Sequence, residues 1–384
     1  MRFLLFTAVI FLVCNCRREK THDNIIDLLA PPLAQITNLS EVAVDISYIP
    51  FQTTDSSIIS NISKFVVVND YYYVVSGETV MCFDRSGKFI TKLDKKGRGP
   101  GEYEYISDMD ISADNRFIAI RAGKSLVIYS IKQSGFSFIR RLPFSQPPFN
   151  ISFTGYDNNL LLQYSNNEGN KPYSRILINL RGDTLKVRPN YLKFTMKDGW
   201  VSIFLYENIN YWFNNVLYLK ELQNDTLFCF DNKRFLVPKH IFDSKGKEVT
   251  PEARSNGLYF SNHGYEYIQV KEIFESEGYI YYSSSYDKIG GSFILEKTTA
   301  KKYSVDSKKG FTDDLTGGVS FQPKYCNNGI FYSWIDAFKL KEFLSANGTE
   351  KKNVKNPDKN KSLTVLAGKL DENDNPVLIV VKMK

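Results

Sequence analysis

Short runs of apolar residues follow one another along most of the chain, with turn residues between them. Residues 65–68 and 71–75 are two such runs, and Asn69 and Asp70 separate them. Asparagine followed by aspartate between two apolar runs is typical of a β-hairpin turn. Residues 80–93 repeat the pattern around a second turn, so residues 65–93 are predicted to form a four-stranded antiparallel meander.

The meander pattern recurs through the rest of the chain. The later copies lie at residues 117–142, 160–183, 216–232, 279–295 and 329–332. A four-stranded unit that repeats at intervals of about 40 to 50 residues is the signature of propeller blades. One meander cannot bury both of its faces, whereas blades arranged around an axis bury them against each other. The sequence therefore predicts an all-β fold, a six-bladed β-propeller of four-stranded antiparallel blades.

The strand-like segments at the two ends of the predicted propeller, and residues 338–362 within its last blade, complete this prediction. Residues 42–49 alternate apolar and polar side chains before the first blade, and residues 376–381 form an apolar run near the C-terminus. We expect these N- and C-terminal strands to share the last blade and so close the ring without an open edge. Residues 338–344 are predicted to form a short helix, and the charged, Asn-rich residues 347–362 a loop.

The N-terminus has the pattern of an export signal. Arg2 precedes the apolar run 3–13, which is too short to span a bilayer. Cys16 follows this run and resembles the acylated cysteine of a bacterial lipoprotein, although Cys14 is an alternative and a plain secretory peptide is another. The expected organisation is a signal peptide at residues 1–15, a polar tether at 16–39 and the propeller at 40–384.

Composition narrows the class of protein. Aromatic residues make up 14% of the chain, and in a propeller they fill the gaps between blades. The formal charge of +7 is spread over many short stretches, so we expect no nucleic-acid binding. Cys82, Cys229 and Cys326 are expected to be unpaired thiols in strand-like runs. There is no Cys/His cluster in the sequence, and we expect neither a metal nor a cofactor.

A glycine-rich motif carries a family resemblance. Residues 95–103 read Lys-Lys-Gly-Arg-Gly-Pro-Gly-Glu-Tyr, and the turn at 83–89 reads Phe-Asp-Arg-Ser-Gly-Lys-Phe. With Asp-x-x-Ile at 108–111 and Asn-Asp-Thr-Leu-Phe at 224–228, this resembles exported bacterial six-bladed β-propeller lipoproteins, which are related in architecture to NHL-repeat propellers. The resemblance covers about residues 40–384 and implies fold and export, but no common reaction.

The candidate binding residues lie in and after this motif. Its spacing is not that of a nucleotide-binding loop, so it is predicted to be a crossover between blades or a loop on a ligand-bearing face. Two apart on one strand, Asp108 and Asp110 would share a face and could contribute to a central polar site. The ligand-binding candidates are Arg98, Glu102, Tyr103, Asp108 and Asp110, and no catalytic residue is assigned.

These observations favour a non-enzymatic binding module. We expect a monomeric propeller, anchored through its N-terminal lipid in the bacterial outer membrane, that binds a glycan or an envelope protein on its axial face. The basic residues Arg17 and Arg18 favour the periplasmic face over the cell surface. The alternative is a carbohydrate-active hydrolase or lyase with an axial polar pocket.

Overall fold

The computed structural model describes residues 24–133, 135–201, 203–346 and 354–384. Three strands precede the first repeated unit along the chain. They are β1 (Ile25–Asp27), β2 (Gln35–Ile36) and β3 (Ala43–Pro50). The signal peptide and Cys16 lie outside the described residues.

Three sheets of four antiparallel strands follow. The first sheet contains β4 (Lys64–Val68), β5 (Tyr71–Ser76), β6 (Thr79–Asp84) and β7 (Phe89–Leu93). The second sheet contains β8 (Asp108–Ile111), β9 (Phe117–Ala122), β10 (Ser125–Lys132) and β11 (Gly135–Pro143). The third sheet contains β12 (Asn150–Phe153), β13 (Leu160–Gln163), β14 (Tyr173–Ile178) and β15 (Thr184–Pro189). Each is an up-and-down meander, as the hairpin signals predicted.

The remaining strands form a nine-stranded and a five-stranded sheet. One half of the nine-stranded sheet contains β16 (Asn208–Phe213), β17 (Val216–Glu221), β18 (Thr226–Asp231) and β19 (Phe235–Asp243), with β1 outside β19. The five-stranded sheet contains β20 (Gln269–Glu275), β21 (Tyr279–Tyr286), β22 (Ile289–Glu296) and β23 (Lys301–Val305), with β2 outside β23. The other half of the nine-stranded sheet contains β24 (Tyr325–Asn327), β25 (Ile330–Ile335), β26 (Val377–Met383) and β3.

The fold is therefore all-β and propeller-like, with antiparallel four-stranded units. The strands of the described residues form five sheets, three of them four-stranded, whereas six separate four-stranded blades were predicted. The difference arises at one place, because a single parallel residue pair, Trp212 with Asn327, joins β16 to β24. β3 pairs antiparallel with β26 from Pro50–Val377 to Ala43–Met383, so the two predicted terminal strands are neighbours.

Residues 24–39, which were predicted to belong to a polar tether, contain the two short strands β1 and β2. β1 pairs in parallel with β19 and β2 with β23, so this segment adds strands to the outer edges of two sheets. The side chain of Lys302 holds the intervening turn, because its Nζ donates to the carbonyls of Leu28 (2.9 Å) and Ala30 (2.8 Å). Parallel pairing between segments so far apart in sequence leaves no local signal.

Four α-helices lie among the described residues: α1 (Pro251–Ser255), α2 (Gly257–His263), α3 (Ala337–Ala346) and α4 (Pro357–Lys369). The predicted helix at 338–344 lies within α3. The predicted loop at 347–362 is wrong over residues 357–362, which belong to α4, and its residues 347–353 lie outside the described residues. The side chain of Asn356 accepts a hydrogen bond from the backbone N–H of Lys359, and Pro357 occupies the first helical turn.

The core consists of apolar clusters between neighbouring sheets. The first sheet packs on the second through residues that include Val75 and Ile120. It packs on β25 and β26 through Phe65, Tyr332 and Leu378. Similar clusters join the second sheet to the third, the third to β17, and the five-stranded sheet to both halves of the nine-stranded one. Side chains of β8 are buried throughout, whereas the outermost strand β15 has none buried.

Candidate functional site

The inner edges of the sheets carry a line of polar side chains. Asp108 and Asp110 lie on β8, the inner strand of the second sheet, and both are buried. Asp108 Oδ2 accepts a hydrogen bond from the backbone N–H of Ile151 (2.9 Å), and Asp110 Oδ2 from that of Phe153 (2.7 Å). Both donors belong to β12, the inner-edge strand of the third sheet. The two carboxylates therefore satisfy unpaired edge donors and join the second sheet to the third.

An ion pair connects this pair to the first sheet. Lys64, at the start of β4, places its Nζ 2.8 Å from Asp108 Oδ1. Burial alone would lower the pKa of the Lys64 ammonium, but the Asp108 carboxylate holds that pKa above its ordinary value. Asp108 thus bridges three sheets, with one oxygen on Lys64 and the other on β12.

Asp110 has a different electrostatic environment. Burial is the main cause that raises the pKa of its carboxyl to about 7; Lys64 and the backbone donors oppose the rise, and the charge of Asp108 adds to it. A carboxyl group with a pKa near 7 changes charge within the physiological range. The charge of Asp110 therefore depends on pH in the neutral range.

The polar line continues towards β16. Asn210 Nδ2 donates to Ser152 Oγ (3.3 Å), and Gln163 Nε2 donates to Asn210 Oδ1 (2.9 Å). These contacts join the third sheet to the nine-stranded one. Polar side chains therefore connect the inner edges of neighbouring sheets, whereas the sheet faces are apolar.

At one end of the inner strands lies a cavity of about 320 Å³, which we call the axial mouth. It is lined from the first, second, third and nine-stranded sheets. Its polar and aromatic lining residues are Asn69, Asp110, Trp212, Asn215, Tyr325, Asn327 and Asn328. A cavity of this size with an aromatic wall and a few convergent polar groups is the usual form of a small-ligand site.

Hairpin turns position the mouth residues. Asn215 and Asn328 lie in turns with φ of 57° and 48°, a left-handed conformation that asparagine tolerates. The side chain of Asn328 donates to Asn215 Oδ1 (3.0 Å) and accepts from the Asn215 backbone N–H (2.9 Å). Asn327 Nδ2 donates to the carbonyl of Val67 (2.9 Å). Amide contacts therefore hold the rim, both between the two halves of the nine-stranded sheet and between that sheet and the first.

Trp212 forms an aromatic wall of the mouth. A Cβ added at Gly155 would lie 3.1 Å from the Trp212 ring, so the bare glycine, with φ of 77°, lets the ring approach the turn after β12. The sequence indicated Asp110, but Trp212, Asn215 and Asn327 were missed. The asparagine turn signals at 214–215 and 327–329 could have indicated turns, but not their convergence.

Arg98, Glu102 and Tyr103 lie elsewhere, in the glycine-rich loop over the outer strands of the second sheet. Glu102 Oε2 accepts from the backbone N–H of Gly99 (2.9 Å). The buried Tyr103 donates its hydroxyl to the carbonyl of Leu93 (3.0 Å). Arg98 pairs with Glu104 (2.6 Å) and keeps 89% of its side-chain surface exposed. The structure separates these three candidates from Asp108 and Asp110, and the contacts of the loop are those of a crossover.

The three cysteines of the described residues are free thiols. Burial raises the pKa of Cys82 and of Cys326 to about 12, so neither is a reactive thiolate at neutral pH.

Within residues 24–133, 135–201, 203–346 and 354–384, no group of three His, Cys, Asp or Glu side chains could hold a metal ion. None of the described helices is both long and apolar enough to cross a membrane.

Comparison with known proteins identifies a family and a shared fold. A family model described as "Domain of unknown function (DUF4934)" matches residues 24–382. The crystal structure of a "Putative exported protein" from Bacteroides fragilis is 19% identical with a TM-score of 0.67, covering 94% of this chain and 99% of that one. A member of the DUF4221 family from Bacteroides vulgatus is 13% identical with a TM-score of 0.48, covering 89% and 97%. The comparison with curated proteins found no match.

Proposed function

The chain belongs to the DUF4934 family, and from its fold and axial mouth we propose that it is an exported, non-enzymatic propeller that binds a glycan at that mouth. The observation that carries this proposal is the convergence of Trp212, Asp110 and several asparagines in one cavity. Protein recognition is the other form of the same binding role, but the concave mouth suits a small ligand better than a flat protein surface.

The proposal includes six blades in a closed ring, with NHL-like architecture. The two halves of the nine-stranded sheet share only the Trp212–Asn327 pair, so each half counts as a blade of its own. β3 and β26 would then close the ring in the last blade. The cluster that contains Phe65, Tyr332 and Leu378 supports this, because it places the first sheet against the last blade.

The chemistry of the mouth favours a sugar. The C–H face of a sugar ring packs against an aromatic ring such as that of Trp212, while its hydroxyls both donate and accept hydrogen bonds. The asparagine amides at positions 69, 215 and 328 can likewise both donate and accept hydrogen bonds. Because these groups come from several sheets, the rigid ring holds them in place before a ligand binds.

A carbohydrate-active hydrolase or lyase is the weaker candidate. Hydrolysis of glycosides usually requires two carboxyl groups that flank the scissile bond. Among the described residues that line the mouth, Asp110 is the single carboxyl group. Asp108 is engaged by Lys64 and by the backbone of β12. The arrangement therefore suits binding without turnover.

An array of envelope and host glycans tests the proposal, with the full-length protein in detergent as the probe. We expect selective binding by the natural protein and at least about tenfold weaker binding by Trp212→Ala. Trp200→Ala is the matched control, because Trp200 is 64% exposed and lies outside the mouth. Unchanged binding by Trp212→Ala, or release of cleaved sugar, would contradict the proposal.

The proposed location is the periplasmic face of the outer membrane, with Cys16 acylated and the protein monomeric. Stable anchoring requires more than one acyl chain, which a lipoprotein cysteine carries. Radiolabelled palmitate should enter the natural protein and Cys14→Ser but not Cys16→Ser. Protease treatment of intact cells should leave the protein intact, and its digestion would place it on the cell surface instead.

A further inference from the structure

A second cavity, of about 100 Å³, lies between the third sheet and the β16–β17 hairpin. It is at the opposite end of β16 from the axial mouth, because Asn208 lines the cavity and Trp212 lines the mouth. Its walls are fixed by amide contacts. Asn166 Nδ2 donates to the carbonyl of Leu192 (2.7 Å), and Asn190 Nδ2 donates to Asn166 Oδ1 (2.9 Å).

Three buried side chains that line this cavity have polar atoms without a hydrogen-bond partner. Glu207, Asn208 and Gln223 are 5%, 8% and 6% exposed, and all three line it. Glu207 Oε2, Asn208 Nδ2 and Gln223 Nε2 have no hydrogen-bond partner among the described residues. A buried polar atom without a partner costs stability. One acceptor and two donors on side chains that line one cavity match a ligand with several hydroxyl groups.

The charges around the cavity are unequal. Arg254 pairs with Glu207 (2.7 Å) and the buried Arg175 pairs with Glu221, so both carboxylates have a partner. Arg188 is 3.8 Å from Glu221, which Arg175 already holds, and Lys171 has no ion pair within the described ranges. Two cations and two carboxylates line the cavity, but Arg254 and Arg175 already pair with the carboxylates, so the local charge is positive and favours an anionic group.

Aromatic side chains border the same cavity. The rings of Tyr164 and Tyr173 meet edge to face with centroids 4.8 Å apart, which gives a rigid wall. Tyr191 also lines the cavity and is 76% exposed. It offers a ring face at the surface, where a larger ligand would extend beyond the buried part.

We propose that this cavity binds a small hydroxylated carboxylate, such as a terminal uronic acid of a glycan. The carboxylate lies towards Lys171 and Arg188, and hydroxyl groups occupy the unused atoms of Glu207, Asn208 and Gln223. The cavity admits one end of the sugar ring, and the remainder lies against Tyr191. This site is separate from the axial mouth and does not depend on glycan binding there.

Calorimetric titration of the full-length protein with glucuronate, glucose and acetate tests the proposal. We expect glucuronate to bind at least about tenfold more tightly than either of the others, because only glucuronate has both the charge and the hydroxyls. Equal binding of acetate would indicate an anion site only, and equal binding of glucose a neutral sugar site. Either result, or no binding, overturns the proposal.

Two variants locate the site. Asn208→Leu should weaken glucuronate binding about tenfold without lowering the melting temperature, because it removes a donor that has no partner in the folded protein. Lys171→Gln should remove the preference for glucuronate over glucose. Asn61→Leu, at an exposed position outside the cavity, is the matched control. Natural affinity in both Asn208→Leu and Lys171→Gln would overturn the assignment.

Discussion

Asp108 and Asp110 show how two identical side chains on one strand acquire different roles. Each accepts a backbone N–H of β12, but only Asp108 contacts Lys64. Lys64 forms an ion pair with Asp108, whereas burial favours the protonated form of Asp110. At the scale of single residues, β8 therefore combines an ion-paired carboxylate with a carboxyl group whose charge depends on pH.

The free energy of unfolding should depend on Asp110 between about pH 4 and pH 7. Because burial raises its pKa to about 7 from 3.8, the folded state binds more protons than the unfolded state in this window. Stability should therefore fall as the pH rises, by about 2 to 4 kcal/mol from this residue. Urea unfolding at several pH values should show this fall in the natural protein and a smaller one in Asp110→Asn.

The control for this measurement is Asp114→Asn. Asp114 lies in an exposed turn, where hydrogen bonds from Ser112 and Asn158 outweigh burial and lower the pKa of its carboxyl. Its replacement should leave the fall in stability between about pH 4 and pH 7 in place. Parallel pH profiles of Asp110→Asn and the natural protein would show that Asp110 ionises normally.

At the scale of elements, the glycine-rich loop is an ordered crossover from the first sheet to the second. Gly97 donates its backbone N–H to the carbonyl of Tyr103 (3.0 Å), and Tyr129 donates its hydroxyl to the carbonyl of Gly101 (3.0 Å). The loop thereby attaches the end of the first sheet to the outer strands of the second. The glycines of the loop allow this close packing, so packing explains the motif and no bound ligand is needed to explain it.

Gly97→Ala should destabilise this loop. The added Cβ would lie 2.0 Å from Glu102 Oε2, so the carboxylate must move and lose its hydrogen bond to Gly99. We expect the free energy of unfolding in urea to fall by about 1 to 2 kcal/mol. Gly290→Ala is the control, since no atom lies within 4 Å of its added Cβ. Equal stability of the two variants would refute the packing role of Gly97.

How far the sequence predicts these elements depends on the range of the interactions. Local turn chemistry correctly indicated the meanders, including the hairpin at Asn69. α1 was missed because it is short and depends on its cap, where the Thr250 hydroxyl accepts from the Ala253 backbone N–H. β1 was missed because its partner β19 is remote in sequence. Asp110 was predicted from strand alternation, but its convergence with Trp212 depends on pairing between distant strands.

At the scale of the whole molecule, the N-terminal strand β3 and the C-terminal strand β26 pair with each other in one sheet. Ile379 on β26 is 2% exposed and pairs with Ser333 on one side and Tyr48 on the other. The N- and C-terminal parts of the chain thus lie side by side within one sheet. In the proposed closed ring, loss of this pairing opens every neighbouring interface, because each blade packs on two others.

Ile379→Pro should therefore unfold the protein cooperatively. Proline removes a backbone donor from a central strand and costs about 3 kcal/mol or more. Thermal unfolding followed by circular dichroism should show one transition at a much lower temperature, or no folded protein. Leu185→Pro, on the exposed edge strand β15, should have a much smaller effect. Retention of a stable ring in Ile379→Pro would contradict closure by β26.

Hydrogen–deuterium exchange with a bound glycan tests the central claim, that the axial mouth is the binding face, most directly. The account predicts slower exchange in the turns that contain Asn69, Asn215 and Asn328, which come from separate strand pairs but meet at the mouth. It predicts no change in the glycine-rich loop around Arg98. Protection confined to that loop, or absent from the mouth turns while glycan is bound, would contradict it.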